Sequence, residues 1–262
     1  MVSKGKIRAN VAASIVSEPP TQTHTHTIIF LHGRGSDATT FRSELFESKN
    51  SKGQFLSSIF PNLKWVFPCA KVRHVTGGLP EKRMPQWFDM TAVEKPQADH
   101  RVQEQGIKES TQQLLTVIKT EAEIVGSYEN VIVAGLSQGC AIALYTLLKC
   151  EVGVGGFIGV SGWVPLANQV DAFMRKPGRD DDVLDTPVLL QHCEDDRTLP
   201  QKNGEDMVKQ LRRLQMDVEW QCFKHGGHWL NEPEGVDSIV RFIKGIMTGE
   251  DSMETEVEDK GS

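Results

Sequence analysis

The sequence predicts an α/β fold: a mostly parallel central sheet with helices on both faces. Three observations predict it. Short apolar runs of strand length recur along the chain, and segments with apolar residues at helical spacing alternate with them. The strand candidates are continuous rather than alternating in polarity, as expected of strands buried on both faces. The third is length, since 262 residues, 39% of them hydrophobic, can bury a large core without metals or disulfides.

In chain order, residues 1–20 read as a loose lead-in. Lys4, Lys6 and Arg8 precede an apolar stretch at 11–16 that is too short for a secretory signal and runs into Glu18-Pro19-Pro20. Residues 21–249 read as one domain. Strands are expected at 27–31, 65–67, 131–134, 157–160, 188–190 and 218–223. Helices are expected at 101–125, where Ile107, Leu114, Leu115, Ile118 and Ala122 keep helical spacing, and at 141–148, 206–214 and 236–247. The alternating Thr23-His24-Thr25-His26-Thr27 leads into a strand and reads as an edge strand rather than a metal tract. Gly153-Val154-Gly155-Gly156 precedes a strand instead of opening a helix, so it is no dinucleotide loop. Residues 250–262 carry six acids against Lys260 alone and read as a disordered tail.

That tail accounts for most of the net charge of −6. The rest of the chain is close to neutral and has no basic excess for nucleic acid. No apolar run reaches the ~18 residues of a membrane span, so stable membrane insertion is not expected. Five scattered cysteines without CxxC spacing suit reduced thiols in the cytoplasm.

The chemistry is expected beyond the carboxyl ends of the strands. The strand at 131–134 runs into Gly135-Leu136-Ser137-Gln138-Gly139, directly before a helix. This is the pattern of a nucleophile elbow, in which a sharp strand-to-helix turn lifts a serine hydroxyl above the sheet. The flanking glycines are needed because side chains there would collide with neighbouring backbone. A serine nucleophile needs an imidazole base, and the base needs a carboxylate to orient it. After the strand at 188–190 come Glu194, Asp195 and Asp196, and position alone does not choose among them. After 218–223 comes Lys224-His225-Gly226-Gly227-His228-Trp229, where either histidine could reach back over the sheet edge. The order serine, acid, histidine is the one α/β-hydrolases use. No third ligand group accompanies the two histidines, so no metal is expected.

Several motifs in order carry a family resemblance. Leu31-His32-Gly33-Arg34-Gly35-Ser36-Asp37, Met84-Pro85-Gln86-Trp87-Phe88-Asp89, Gly135–Gly139, Ser161-Gly162-Trp163-Val164-Pro165-Leu166, the 192–200 loop and Gly227-His228 together resemble the acyl-protein thioesterase (phospholipase/carboxylesterase) family of α/β-hydrolases. The likeness runs from about residue 27 to 247. It implies the α/β-hydrolase fold, no cofactor, and hydrolysis of carboxylic esters or thioesters. By the family pattern His-Gly-x-x-Asp-x-x-Val-Pro it selects Asp196, with Cys193 and Leu199 in place of the usual Gly and Val, and it selects His228 over His225. The implied oxyanion donors are the backbone N–H groups of Arg34 and Gln138, each worth about 2.7–4 kcal/mol in such sites. Leu79, Trp87, Trp163 and Val164 fall in segments expected to contact substrate.

The resemblance leaves the substrate open between acyl groups on protein cysteines and, for a general carboxylesterase or lysophospholipase, short- to medium-chain esters. A non-catalytic ligand-binding protein of the same fold is the remaining alternative. The expected state is a monomer or weak homodimer. Arg34, where relatives often carry Leu, and the polar 77–83 segment predict a polar acyl entrance.

Overall fold

The computed structural model describes residues 15–79, 81–178 and 182–249. In chain order the elements are β1 (Ile15–Glu18), β2 (His26–Leu31), α1 (Ala38–Glu47), α2 (Leu56–Ile59), β3 (Leu63–Pro68), β4 (Val72–His74), β5 (Arg83–Pro85) and α3 (His100–Val125). They continue with β6 (Val131–Leu136), α4 (Gln138–Cys150), β7 (Gly156–Val160), α5 (Ala167–Met174), β8 (Val188–Cys193), α6 (Lys202–Arg213), β9 (Val218–Phe223) and α7 (Glu234–Thr248). The main sheet has the order β1-β3-β2-β6-β7-β8-β9, and β4 and β5 form a separate hairpin. Every neighbouring pair from β3 to β9 is parallel; β1 alone is antiparallel, pairing with β3.

Alternation along the strands divides the core into two layers. Ile29, Leu31, Val131, Val133, Val188 and Leu190 face α3, α4 and α6. Ile28, Phe30, Ile132, Ala134 and Leu189 face α1 and α7. Side chains pointing both ways are apolar, which is why the strands read as unbroken hydrophobic runs.

Two expectations need correction. Part of the lead-in is ordered: Ile15–Glu18 is a sheet strand, and Glu18 pairs with Arg42 on α1. The polar, half-exposed composition of an edge strand hides it in the sequence. Because β1 and β3 lie outside it, β2 is an inner strand and the threonine–histidine stretch before it is not a sheet edge. Residues 1–14 and the acidic tail lie outside the described residues. Among the described residues, no helix is long and apolar enough to cross a membrane.

Candidate active site

The turn from β6 to α4 shows why its glycines are there. A Cβ on Gly135 would lie 2.4 Å from the backbone of Gly139 and Cys140, and one on Gly139 would lie 2.4 Å from the Leu31 carbonyl oxygen. Between them Ser137 adopts φ 56° and ψ −120°, a conformation costly for any residue with a side chain. Its N–H donates to the Val160 carbonyl and its own carbonyl accepts from Ala141, so both neighbours hold the strained residue.

The loop after β2 runs alongside. A Cβ on Gly33 would lie 3.6 Å from Ser137 Cβ. Among the described residues, neither the Arg34 nor the Gln138 N–H donates to a protein acceptor. Gln138 also stands at the N-terminus of α4, where the helix dipole favours negative charge. His32 anchors the loop: Nδ1 donates to the Gly33 carbonyl (2.7 Å) and Nε2 accepts from the Ala70 N–H (3.0 Å). Burial lowers the His32 pKa, which suits the neutral ring these contacts require.

The Gln138 side chain is the connection that motif reading missed. Its Oε1 accepts from the Trp87 N–H (2.8 Å) and its Nε2 donates to the Phe88 carbonyl (2.8 Å). Trp87 Nε1 in turn donates to the His32 carbonyl (2.8 Å). The 84–90 segment is thereby tied both to the elbow and to the loop after β2. Trp87 is fully buried, so it braces the site from beneath rather than lining it. The Arg34 side chain has a similar part. Its guanidinium donates to Gln86 Oε1 (2.8 Å) and the Met90 carbonyl (3.4 Å), so it is turned into the protein and does not by itself make the entrance polar. Burial lowers its pKa, and Asp89 opposes that shift.

Beyond β8 and β9, two loops bring Asp196 and His228 together. His228 Nδ1 lies 2.7 Å from Asp196 Oδ2. Asp196 Oδ1 accepts from the N–H groups of Thr198 (2.8 Å) and Leu199 (2.9 Å). Burial raises the Asp196 pKa, but hydrogen bonds from His192, His228 and Leu199 together outweigh it and hold the carboxyl below the ordinary range. The neighbouring histidine and acids make other contacts. His225 is largely exposed and stands 3.6 Å from Asp195, and Glu194 is exposed. Asp195 accepts from the Gly227 N–H (2.8 Å) and so shapes the histidine loop from outside. Cys193 replaces a glycine without strain because a glycine faces it: a Cβ on Gly226 would lie 2.6 Å from its sulfur. Burial pushes the Cys193 thiol up to about 12, which leaves it unreactive.

The expected substrate contacts fall in three places. Leu79, 77% exposed, sits at the tip of the β4–β5 hairpin. Trp87 lies in the core. Trp163 and Val164 line a cavity of about 260 Å³ with Gln97, His100, Asn203 and Gln210. A larger cavity of about 1020 Å³, lined by Gly155, Thr186 and Phe242, opens at the amino-terminal ends of β6–β8, away from the elbow. Concavity alone does not find this site. Among the described residues, no group of three or more His, Cys, Asp or Glu is placed to hold a metal.

Comparisons with known proteins bear on the family and the fold. The sequence model of the Phospholipase/Carboxylesterase family matches residues 12–247. Acyl-protein thioesterase 1 of Gibberella zeae is 28% identical over 228 residues, covering 86% of this chain and 92% of that protein. Carboxylesterase SOBER1 of Arabidopsis thaliana is also 28% identical over 228 residues, with the same coverage of 86% and 92%. Among solved structures, acyl-protein thioesterase 2 of Zea mays shares the fold with a TM-score of 0.74 at 24% identity, over 90% of this chain and 99% of that one.

Proposed function

The chain belongs to the phospholipase/carboxylesterase family of α/β-hydrolases, and from that footing we propose that it is a serine (thio)esterase acting through Ser137, His228 and Asp196, with acylated proteins as its substrate class. One observation carries the reading. A histidine and a buried carboxylate 2.7 Å apart stand on the same end of the sheet as a serine held in a strained turn.

The chemistry follows from the positions. Ser137 Oγ attacks the acyl carbonyl as His228 Nε2 takes its proton, while Asp196 orients the ring and stabilises the imidazolium. The oxyanion that forms is met by the N–H groups of Arg34 and Gln138. His228 then delivers the proton to the leaving thiol or alcohol. Water attacks the acyl-enzyme with His228 again as base, and Ser137 is regenerated as the free acid departs. No step requires a cofactor. Five scattered cysteines without CxxC spacing support work in the reducing cytoplasm, and monomer or weak homodimer remains the proposed state.

A second reading, hydrolysis of short- to medium-chain oxyesters, is favoured by the hairpin tip, where exposed Glu81 and Lys82 flank the acyl-side segment. Each methylene buried in a wholly apolar tunnel contributes about 0.8 kcal/mol, roughly fourfold in kcat/KM. Acyl esters and thioesters of increasing chain length, measured below micelle formation, separate the two. A rise continuing to about sixteen carbons supports the acyl-protein reading, whereas an early plateau supports the second. Fluorophosphonate labelling lost in Ser137→Ala tests the nucleophile itself; labelling that persists in a folded variant removes Ser137 from the role.

A further inference from the structure

His192 is not one of the three reacting groups, yet it touches the same carboxylate oxygen as His228. Its Nε2 lies 3.3 Å from Asp196 Oδ2 and 3.0 Å from the Leu199 carbonyl oxygen. Both are acceptors, so Nε2 carries the hydrogen. Nδ1 is buried with no hydrogen-bond partner among the described residues, which makes it the lone-pair nitrogen of a neutral ring. The side chains of both His192 and Asp196 are 0% exposed.

The ring is held in place from α6 and β9. A Cβ on Gly204 would lie 2.8 Å from His192 Nδ1 and 2.7 Å from the Trp220 ring, so glycine is required where the helix presses on the imidazole. The Leu199 backbone closes the arrangement, donating to Asp196 with its N–H while its carbonyl accepts from His192. Asp196 Oδ1 thus receives two backbone donors and Oδ2 two imidazoles. A carboxylate held on both oxygens cannot rotate away from His228.

We propose that His192 is a positioning residue for the hydrolysis, fixing Asp196 Oδ2 in the orientation that His228 requires and drawing off part of its charge. The proposal rests on Asp196 and His228 being the catalytic pair. Removing the Nε2–H donor has two consequences. The carboxylate keeps its two backbone donors but loses one of the two imidazoles on Oδ2, so it is held less tightly toward His228, which lowers kcat with little change in KM. Its charge also falls more fully on His228, which favours the imidazolium and moves the acidic limb of kcat/KM upward. Other titratable groups on the surrounding elements are Glu194 and Asp195 on its own loop, Cys222 beside it on β9, Glu205 on α6 and His225 on the facing loop. None of these touches its Nε2.

The test is the pH profile of kcat/KM for His192→Leu and His192→Gln. Leucine fills space without a donor and should lose about tenfold, the value of one hydrogen bond to a charged group, with the acidic limb displaced upward. Glutamine places an amide nitrogen the same number of bonds from the backbone and should restore both rate and limb. A folded His192→Leu variant with an unmoved limb overturns the proposal, as does a His192→Gln variant no better than leucine. Should both variants unfold, ¹⁵N spectra of the histidines in the native enzyme decide, because an Nδ1–H tautomer at His192 contradicts the geometry and Nε2–H supports it. Asp196→Asn distinguishes the underlying reading: full activity there dismisses the catalytic pair, whatever His192 does.

Discussion

At the scale of single residues, Asp196 is where the site converges, with two backbone donors on one oxygen and two imidazoles on the other. Asp196→Asn and His228→Ala should each lower kcat on the order of 10⁴-fold, while His225→Ala should stay within a few-fold of the parent enzyme. Steady-state kinetics of the three variants check this, and a His225 variant more damaged than the His228 one would assign the base to the wrong histidine. Asp195 holds the Gly227 N–H, so Asp195→Ala should loosen the loop and cost more than Asp195→Asn, which keeps an acceptor. The Asp196 carboxylate sets a pH dependence of stability. Its folded pKa lies below the ordinary ~3.9, so its contribution is complete above that value and is lost as pH falls through the folded one. Acid unfolding of Asp196→Asn should therefore be less steep below about pH 4 than that of the parent. The choice of Asp196 over Asp195 was not legible in residue spacing, since three adjacent acids share one loop. It rests on a family pattern; in the structure Asp196 accepts from the Thr198 and Leu199 N–H groups and meets His228.

At the scale of elements, the sequence was legible wherever apolar residues kept a strand or helix period. The strand expected at 218–223 is β9 to the residue, and the helix expected at 101–125 is α3 within one residue. The sequence was silent where burial is thin. Helix α1 buries only Ala38, Phe41 and Leu45, and its start is marked by Asp37, whose carboxylate caps the N–H groups of Thr39 and Thr40. That cap is the last residue of the Leu31–Asp37 motif. The β4–β5 hairpin has three-residue strands, too short for a periodicity to register. Its links to the site run through Gln86 and through Lys71 and Arg73, which pair with Glu109 on α3. These long-range bonds have no signature in local sequence. They do make Gln138→Leu informative, because the substitution leaves the buried Trp87 N–H without an acceptor at a cost of about 1–3 kcal/mol. The expected result is a lowered thermal midpoint together with a fall in kcat, as the elbow and the 84–90 segment lose their shared anchor. A variant that lost stability and kept its full kcat would show that this anchor does not shape the site.

For the whole molecule, the parallel sheet gathers the loops after β2, β6, β8 and β9 at one end, with Gly33 beside Ser137 and His228 beside Asp196. The short strand β1 has a consequence of a different kind. By pairing with β3 it caps the backbone donors and acceptors of Trp65, Val66 and Phe67 on the outer side of the sheet. A chain begun at residue 21, where composition places the start of the domain, keeps every reacting group and loses that cover. The uncovered flank of β3 then offers a template on which a second chain can add a strand. Such a shortened protein should retain its turnover per folded molecule yet form particles at concentrations where one begun at residue 15 stays dispersed, as light scattering on the two would reveal. The opening residues would then serve the enzyme's solubility and leave its catalysis untouched.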